Sequence, residues 1–540
     1  PQFFTMPELL TIFLAVKITD ILLLDLFNTH GLPTSTTVSI VFELLGAAVA
    51  VSIIKIVATS DSTMALWDYI NTAKALAIVG GILLSIVIAF FAGALMQFLS
   101  RLIFTFDYQE RLKKYGALWG GMAMTAITFF ILVKGAKGAT FMDEGVITWI
   151  KGHSFVIMSG IFIVSAFIFQ ILISLFKINI LKPIVLIGTF ALAMAFAAND
   201  LVNFIGVPLA GLNAFQNAIA SGDPLNITMA ALSKKVHSQT YIMLIAGLIM
   251  VITLWVSKKA RTVTETEIRL GQQDEGTEKF ESIWLSRKIV NMFVSLFGTI
   301  KYLTPGPVRK TISRRLAPAT QNKRILSAEK PSFDLVRASV NLMVASAVVS
   351  FATSLKLPLS TTYVTFMVAM GTSFSDQAWG RESAVYRVTG VLTVIGGWFM
   401  TAFIAFAVAF IFANILFYLK LYGFFILLAF AGFVIFKNHQ KHKKQEQEKE
   451  EMSIYTLHNV KNFTESLEQT FDHLAFLLKG IRESFDVTFD SLFEEDLYTL
   501  RRERMRVKHF QNSTNIIIAN IFKVLRLRSK EGQAVSDNFY

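Results

Sequence analysis

Long uncharged runs recur along the chain, and they constrain its fold more than any other feature. Ala75 to Ser100, Tyr115 to Val133, Ser154 to Phe176, Ser238 to Ser257, Val388 to Leu419 and the shorter Leu421 to Phe436 contain no charged side chain. About 20 apolar residues carry a helix across the hydrocarbon of a bilayer. Inside it, every backbone N–H and C=O must find its partner within the protein. The expected fold class is therefore an all-α polytopic membrane protein. Composition agrees, because a chain that is 54% hydrophobic, 16% charged and of mean hydropathy +0.54 is too apolar for a soluble domain. With no cysteine, disulfides and thiolate metal sites are excluded. The net charge of +13 argues for no nucleic-acid partner, because lysines and arginines concentrate between the apolar runs. That placement is a positive-inside bias toward a lipid bilayer.

Two further apolar segments are interrupted by a proline turn. Leu9 to Val57 breaks at Gly31-Leu32-Pro33, and Ala338 to Ser375 breaks at Leu357-Pro358. Lys17, Asp20, Asp25, Glu43 and Lys55 fall in the first, so part of it is expected to line an interior or an interface. Residues 257 to 336 hold 15 Lys+Arg against 8 Asp+Glu, and KNHQKHKK follows Phe436, which assigns both regions to the cytoplasm. Counting spans from there makes the second hairpin open inward and the first open outward.

The two turns share a motif. Leu32-Pro33-Thr34-Ser35-Thr36-Thr37 is followed nine residues on by Gly46; Leu357-Pro358-Leu359-Ser360-Thr361-Thr362 is followed nine residues on by Gly371. Either copy alone reads as hydroxyls bonding back to the preceding turn. A repeat that keeps its spacing and reverses its orientation instead points to inverted repeats with discontinuous helices, an architecture of secondary transporters. The Ser and Thr residues would then sit at helix N-termini, where free N–H groups and the positive dipole end receive an oxyanion.

A third feature is the polar insertion in Ala191 to Ala210, where Asn199, Asp200 and Asn203 interrupt an apolar run. A carboxylate at mid-bilayer costs roughly 2.5–3.5 kcal/mol on insertion scales, so something must compensate it. At i, i+3 and i, i+4 spacing the three can share one cavity. Gly206 and Pro208 are expected to break the helix shortly afterwards. The alternative is a polar patch that only joins helices.

AANDLVNFIG resembles the GANDVANAIG signature of the inorganic phosphate transporter (PiT) family, and the two tips resemble that family's PxSTTH motif. The resemblance covers about residues 8 to 436. It departs at Ala197 for the leading Gly, at Val207 between Gly206 and Pro208, and at Val38 and Tyr363 where the motif has histidine. The resemblance implies a secondary active transporter importing inorganic phosphate by symport with sodium or a proton. Matched by position, Asn199, Asp200 and Asn203 occupy the signature's polar places. Ser35, Thr36, Thr37, Ser360, Thr361 and Thr362 occupy those of the tips.

Electrostatics divides these residues into two roles. A bare carboxylate repels phosphate, and a cation between them turns repulsion into attraction. Asp200 is thus expected to hold the coupling cation as its metal ligand, aided by the amide oxygens of Asn199 and Asn203. The six tip hydroxyls and their helix N-termini are expected to bind phosphate. No other cofactor is expected.

The sequence divides into a first membrane region at 1–256, a basic cytoplasmic loop at 257–336, a second membrane region at 337–437 and a cytoplasmic domain at 438–540. In the loop, Ile283, Trp284, Val290, Phe293, Phe297 and Ile300 recur between basic residues, as in an amphipathic helix on the inner leaflet. In the last region, Leu457, Val460, Phe463, Leu467, Phe471, Leu474, Leu478, Ile481 and Phe485 step by three or four, so a soluble C-terminal helical bundle is expected. It resembles PhoU-like helical domains and reads as incomplete. Only 34 residues precede Ser35, so an upstream segment with another N-D-x-x-N element is expected in the natural gene. The expected location is the cell's inner membrane, with homo-oligomerisation open.

The eight histidines stand in no HExxH context, and no P-loop or GxGxxG is present. No nucleophile, base and orienting group occur together, so an enzyme is not expected. Two alternatives stay open: a permease for another tetrahedral oxyanion such as sulfate, and a membrane-embedded phosphate sensor.

Overall fold

The computed structural model describes residues 3–30, 34–59, 65–129, 144–230, 239–257, 302–316, 334–354, 359–376, 381–453 and 463–537, with a few isolated residues between 259 and 295. Among them the protein is helical: α1 Met6–Thr29, α2 Thr36–Thr59, α3 Leu66–Tyr69, α4 Thr72–Phe104, α5 Gln109–Phe129, α6 Glu144–Gly152, α7 Ser154–Ser174, α8 Leu181–Ala220, α9 Thr240–Val256, α10 Gly306–Arg315, α11 Leu335–Ser354, α12 Thr361–Ser375, α13 Arg381–Ser453, α14 Phe463–Phe493 and α15 Leu497–Asp537. Among the described residues, six apolar stretches are long enough to cross a membrane: Thr36–Ala58, Thr72–Phe104, Ser154–Ser174, Leu181–Ala220, Leu335–Thr353 and Val391–Gln447. The last holds two arms, because Lys420 takes a φ of 45° inside α13. The chain reverses there, bringing Phe412 and Phe430 into edge contact at 6.5 Å. Large apolar side chains on α4, α7 and α9, among them Leu84, Phe91, Phe155, Phe167, Leu248 and Trp255, are exposed. That is the surface a lipid-facing helix presents.

The two proline-turn segments form helical hairpins, α1 with α2 and α11 with α12, each packed also on α8. The turn residues 31–33 and 355–358 lie outside the described residues. Ser35 and Ser360 cap the returning helices in the same way. The Ser35 hydroxyl accepts from Val38 N at 3.2 Å, and that of Ser360 from Tyr363 N at 3.1 Å. The glycine of each motif meets a backbone: a Cβ on Gly46 would collide with the carbonyl of Phe406 in α13, and one on Gly371 with that of Phe90 in α4. Hence α2 lies against the first arm of α13 as α12 lies against α4. This pairing is the structural form of the inverted repeat read from the tips.

Two apolar cores result. One gathers α4, α5, α11 and α12 with Ile184, Ala191 and Ala195 of α8. The other gathers α1, α2 and part of α13 with Val207, Ala214 and Ala218 of α8. Thus α8 belongs to both, and Asn199 to Asn203 lie where one core gives way to the other.

The expected break at Gly206 and Pro208 is corrected here, because α8 runs uninterrupted from Leu181 to Ala220 with Pro208 inside it. Proline removes one i→i−4 bond, that to the carbonyl of Phe204. The buried Val207, Leu209, Ala214 and Ala218 hold the helix on course through their packing.

The C-terminal unit contains α14 and α15, a hairpin whose core is Leu477 and Ile517 with Leu474, Phe510 and Ile516. Phe471, Leu478, Ile481 and Phe485 of the expected apolar stripe are exposed instead. The packed face carries small hydroxylic residues, Ser466, Thr470, Ser484 and Ser491, with Gly480 against Phe510. Small side chains let two helices approach closely, which explains the choice of face. Leu457 and Val460, and most of the inner-leaflet helix including Ile283, Phe293, Phe297 and Ile300, lie outside the described residues.

Candidate functional site

Helix α8 presents its polar residues to both hairpin tips at once. The Thr361 hydroxyl donates to Asp200, at 2.9 Å from Oδ2 and 3.2 Å from Oδ1. One turn on, Asn203 Nδ2 donates to Thr37 Oγ1 at 2.8 Å and to Thr36 Oγ1 at 3.1 Å. The Asn199 amide donates to Asp200 Oδ1 at 3.1 Å and to the carbonyl of Leu359, beside the second tip, at 3.4 Å. Asp200 thus engages the second hairpin and Asn203 the first. Eight of the nine residues singled out from sequence join this constellation through these bonds or through the two serine caps. Thr362 follows Thr361 in the first turn of α12, and its carbonyl accepts from Thr365 at 3.1 Å.

These threonines do not bond back to a preceding turn, because at a helix start there is none. Each serine cap engages the third N–H of its helix, whereas the first two, those of Thr36 and Thr37 and of Thr361 and Thr362, have no intrahelical acceptor. Two helix N-termini therefore bring donors without an intrahelical acceptor, and positive dipole ends, to one place. Asp200 and its amide neighbours bring oxygen ligands suited to a hard cation.

Sequence reasoning placed the segment of Lys17 at an interior or an interface but gave Lys17 no partner. Its ammonium donates to Asp20 at 2.8 Å and to the backbone carbonyl of Asn203 at 3.2 Å. Arg101 was not singled out at all. It is fully buried at the end of α4, paired bidentately with Asp376 through Nε and Nη2, both at 2.8 Å, and with Asp334 at 2.7 Å. Gln97 adds a bond to Asp376 at 2.7 Å. This cluster ties both ends of the second hairpin to α4. At the other hairpin, Lys55 binds Glu8 at 2.9 Å and the Phe3 carbonyl at 2.8 Å. Asp25 pairs with Lys259 and accepts from Asn438 at 2.9 Å. Among the described residues, no three of His, Cys, Asp and Glu gather as a metal cluster.

The sequence model of the phosphate transporter family matches residues 1–266 and 285–529. The chain belongs to that family, one of transporters and not of enzymes. It also matches a solved structure described as "The sodium-dependent phosphate transporter", at 15% identity and a TM-score of 0.36, covering 77% of this chain and 90% of that one. No protein with curated annotation matches it.

Proposed function

We propose that the protein imports inorganic phosphate across the cell's inner membrane in symport with a cation, sodium or a proton. One observation supports this above the others. The middle of α8 bonds to both hairpin tips, through Asp200 to Thr361 and through Asn203 to Thr36 and Thr37. In this reading Asp200 holds the cation with amide oxygens of Asn199 and Asn203. Phosphate oxygens take the free N–H groups of both tips and the hydroxyls of Ser35, Thr36, Thr37, Ser360, Thr361 and Thr362. The serines keep their oxygens in the caps and use their hydroxyl protons. Because a cation held by Asp200 and Asn203 sits on the two residues of α8 that bond to the second and first hairpin tips, its arrival shifts the balance between arrangements of the two, which is what coupling requires. The α14–α15 hairpin is read as a PhoU-like regulatory module on the cytoplasmic side.

The experiment is uptake of labelled phosphate by proteoliposomes under imposed sodium and proton gradients. Accumulation driven by one of them, with no competition from excess sulfate, supports the reading. Binding without flux contradicts it.

A further inference from the structure

The tip motif is repeated, but the polar residues behind it are not. With the STT tips superposed in sequence, Lys17, Asp20, Ser39 and Glu43 of the first hairpin correspond to Leu342, Ala345, Val364 and Val368 of the second. The second hairpin is apolar at these four places; its own buried charge, Arg337, stands elsewhere, on α11, and bonds to Thr372 and to the Ala369 carbonyl. Glu43 is 0% exposed and Asp20 is 2% exposed. Lys17 donates to Asp20 Oδ2 at 2.8 Å, and the Ser39 hydroxyl to Glu43 Oε1 at 2.6 Å. The second oxygen of each carboxyl, Asp20 Oδ1 and Glu43 Oε2, is buried with no hydrogen-bond partner among the described residues.

The charge count of this cluster does not close. Asp20 and Lys17 on α1 both act electrostatically on Glu43 on α2. The other packed elements add little: the first arm of α13 has no charge between Val388 and Leu419, α8 has Asp200 at its middle and Lys182 near its start, and Asp68 of α3 is exposed. Two carboxylates and one ammonium leave one negative charge inside a low-dielectric interior, where an unpaired charge is strongly disfavoured. One proton would neutralise it, and would turn one of the orphaned acceptors into a donor.

We propose that Asp20 and Glu43 form a proton-binding site in the first hairpin, distinct from Asp200, which holds one proton between the two carboxyls at neutral pH. The proton comes from water and no other bond is made or broken. Lys17 connects the pair to the backbone of Asn203, so release of the proton changes the charge balance one hydrogen bond away from the transport site. That connection to transport rests on the function proposed above; protonation of the pair does not.

The test is infrared spectroscopy of the purified chain at neutral pH without phosphate, reading the C=O stretch of protonated carboxyls. A band lost in Glu43→Gln or in Asp20→Asn is expected, and it should persist when sodium is added at fixed pH. Where a variant does not fold, ¹³C-labelled Glu or Asp in the unaltered protein must shift that band. Absence of the band, or its survival unshifted in every variant and label, overturns the proposal. Its disappearance on adding sodium also overturns it, by giving the charge to the metal ion. Because no outcome depends on phosphate, failure here is distinguishable from failure of the transport reading.

Discussion

Thr361 and Asp200, 161 positions apart, are joined by a hydroxyl that donates to both carboxylate oxygens, at 2.9 and 3.2 Å. The bond places a hairpin tip directly on the half-buried carboxylate of α8. A hydrogen bond to a charged group contributes about 1.5–3 kcal/mol. Thr361→Val should therefore weaken apparent affinity for the coupling cation by about tenfold to a hundredfold, as well as weakening phosphate binding. Thr36→Val removes only one of the two hydroxyl partners of Asn203 in the first tip and should cost less. Cation dependence of phosphate uptake in the two variants measures the difference.

The glycines behind the tips predict a stability effect. Gly371→Ala and Gly46→Ala drive a methyl into backbone, at Phe90 and Phe406, which cannot rotate away. Overpacking of this kind costs about 1–3 kcal/mol, and more where no side chain can yield. Gly432→Ala, with nothing within 4 Å of the added carbon, is the control. Thermal unfolding in detergent should fall for the first two and stay level for the third.

Arg101, which ties the second hairpin to α4, should be hard to replace. Removing one partner of a buried ion cluster leaves the other charge uncompensated and costs about 3–5 kcal/mol. Arg101→Ala takes the bidentate guanidinium away from Asp376, itself 4% exposed. Arg101→Lys should rescue little, because an ammonium cannot reproduce the bidentate geometry. Expression and melting temperature of the two variants, expected to be similarly low, check this.

The ease of reading the sequence varied with the range of the forces involved. The hairpins were legible because Pro33 and Pro358 act locally and because the tip and glycine spacing occurs twice. The polar cluster at Asn199, Asp200 and Asn203, the candidate site, was legible because polar groups are costly in an apolar run. Pro208 misled because its local effect is one lost hydrogen bond, outweighed by packing from α1 that sequence does not display. Arg101 and Asp376 escaped because residues at the ends of apolar runs look like ordinary flanking charges until folding buries them together. In α14 the period was right but the packed face is rotated: Leu474 of the expected stripe packs, whereas Phe471, Leu478 and Phe485 are exposed and Ser466, Thr470, Leu477 and Ser484 are buried. Which stripe packs depends on the neighbouring helix.

The C-terminal module is expected to modulate transport and not to perform it. Deleting residues 445–540 should leave phosphate uptake intact in proteoliposomes while altering its regulation in cells. Loss of uptake by protein that still reaches the membrane would contradict that role.

The proposed role of Asp200 as carrier of the coupling cation is tested most directly by phosphate accumulation by reconstituted Asp200→Asn under an imposed cation gradient. The amide keeps the shape and can still accept from Thr361, so the fold should survive, while accumulation should no longer respond to the gradient. Cation-driven accumulation equal to that of the unaltered protein would show that Asp200 is a structural hydrogen-bond acceptor and that coupling resides elsewhere.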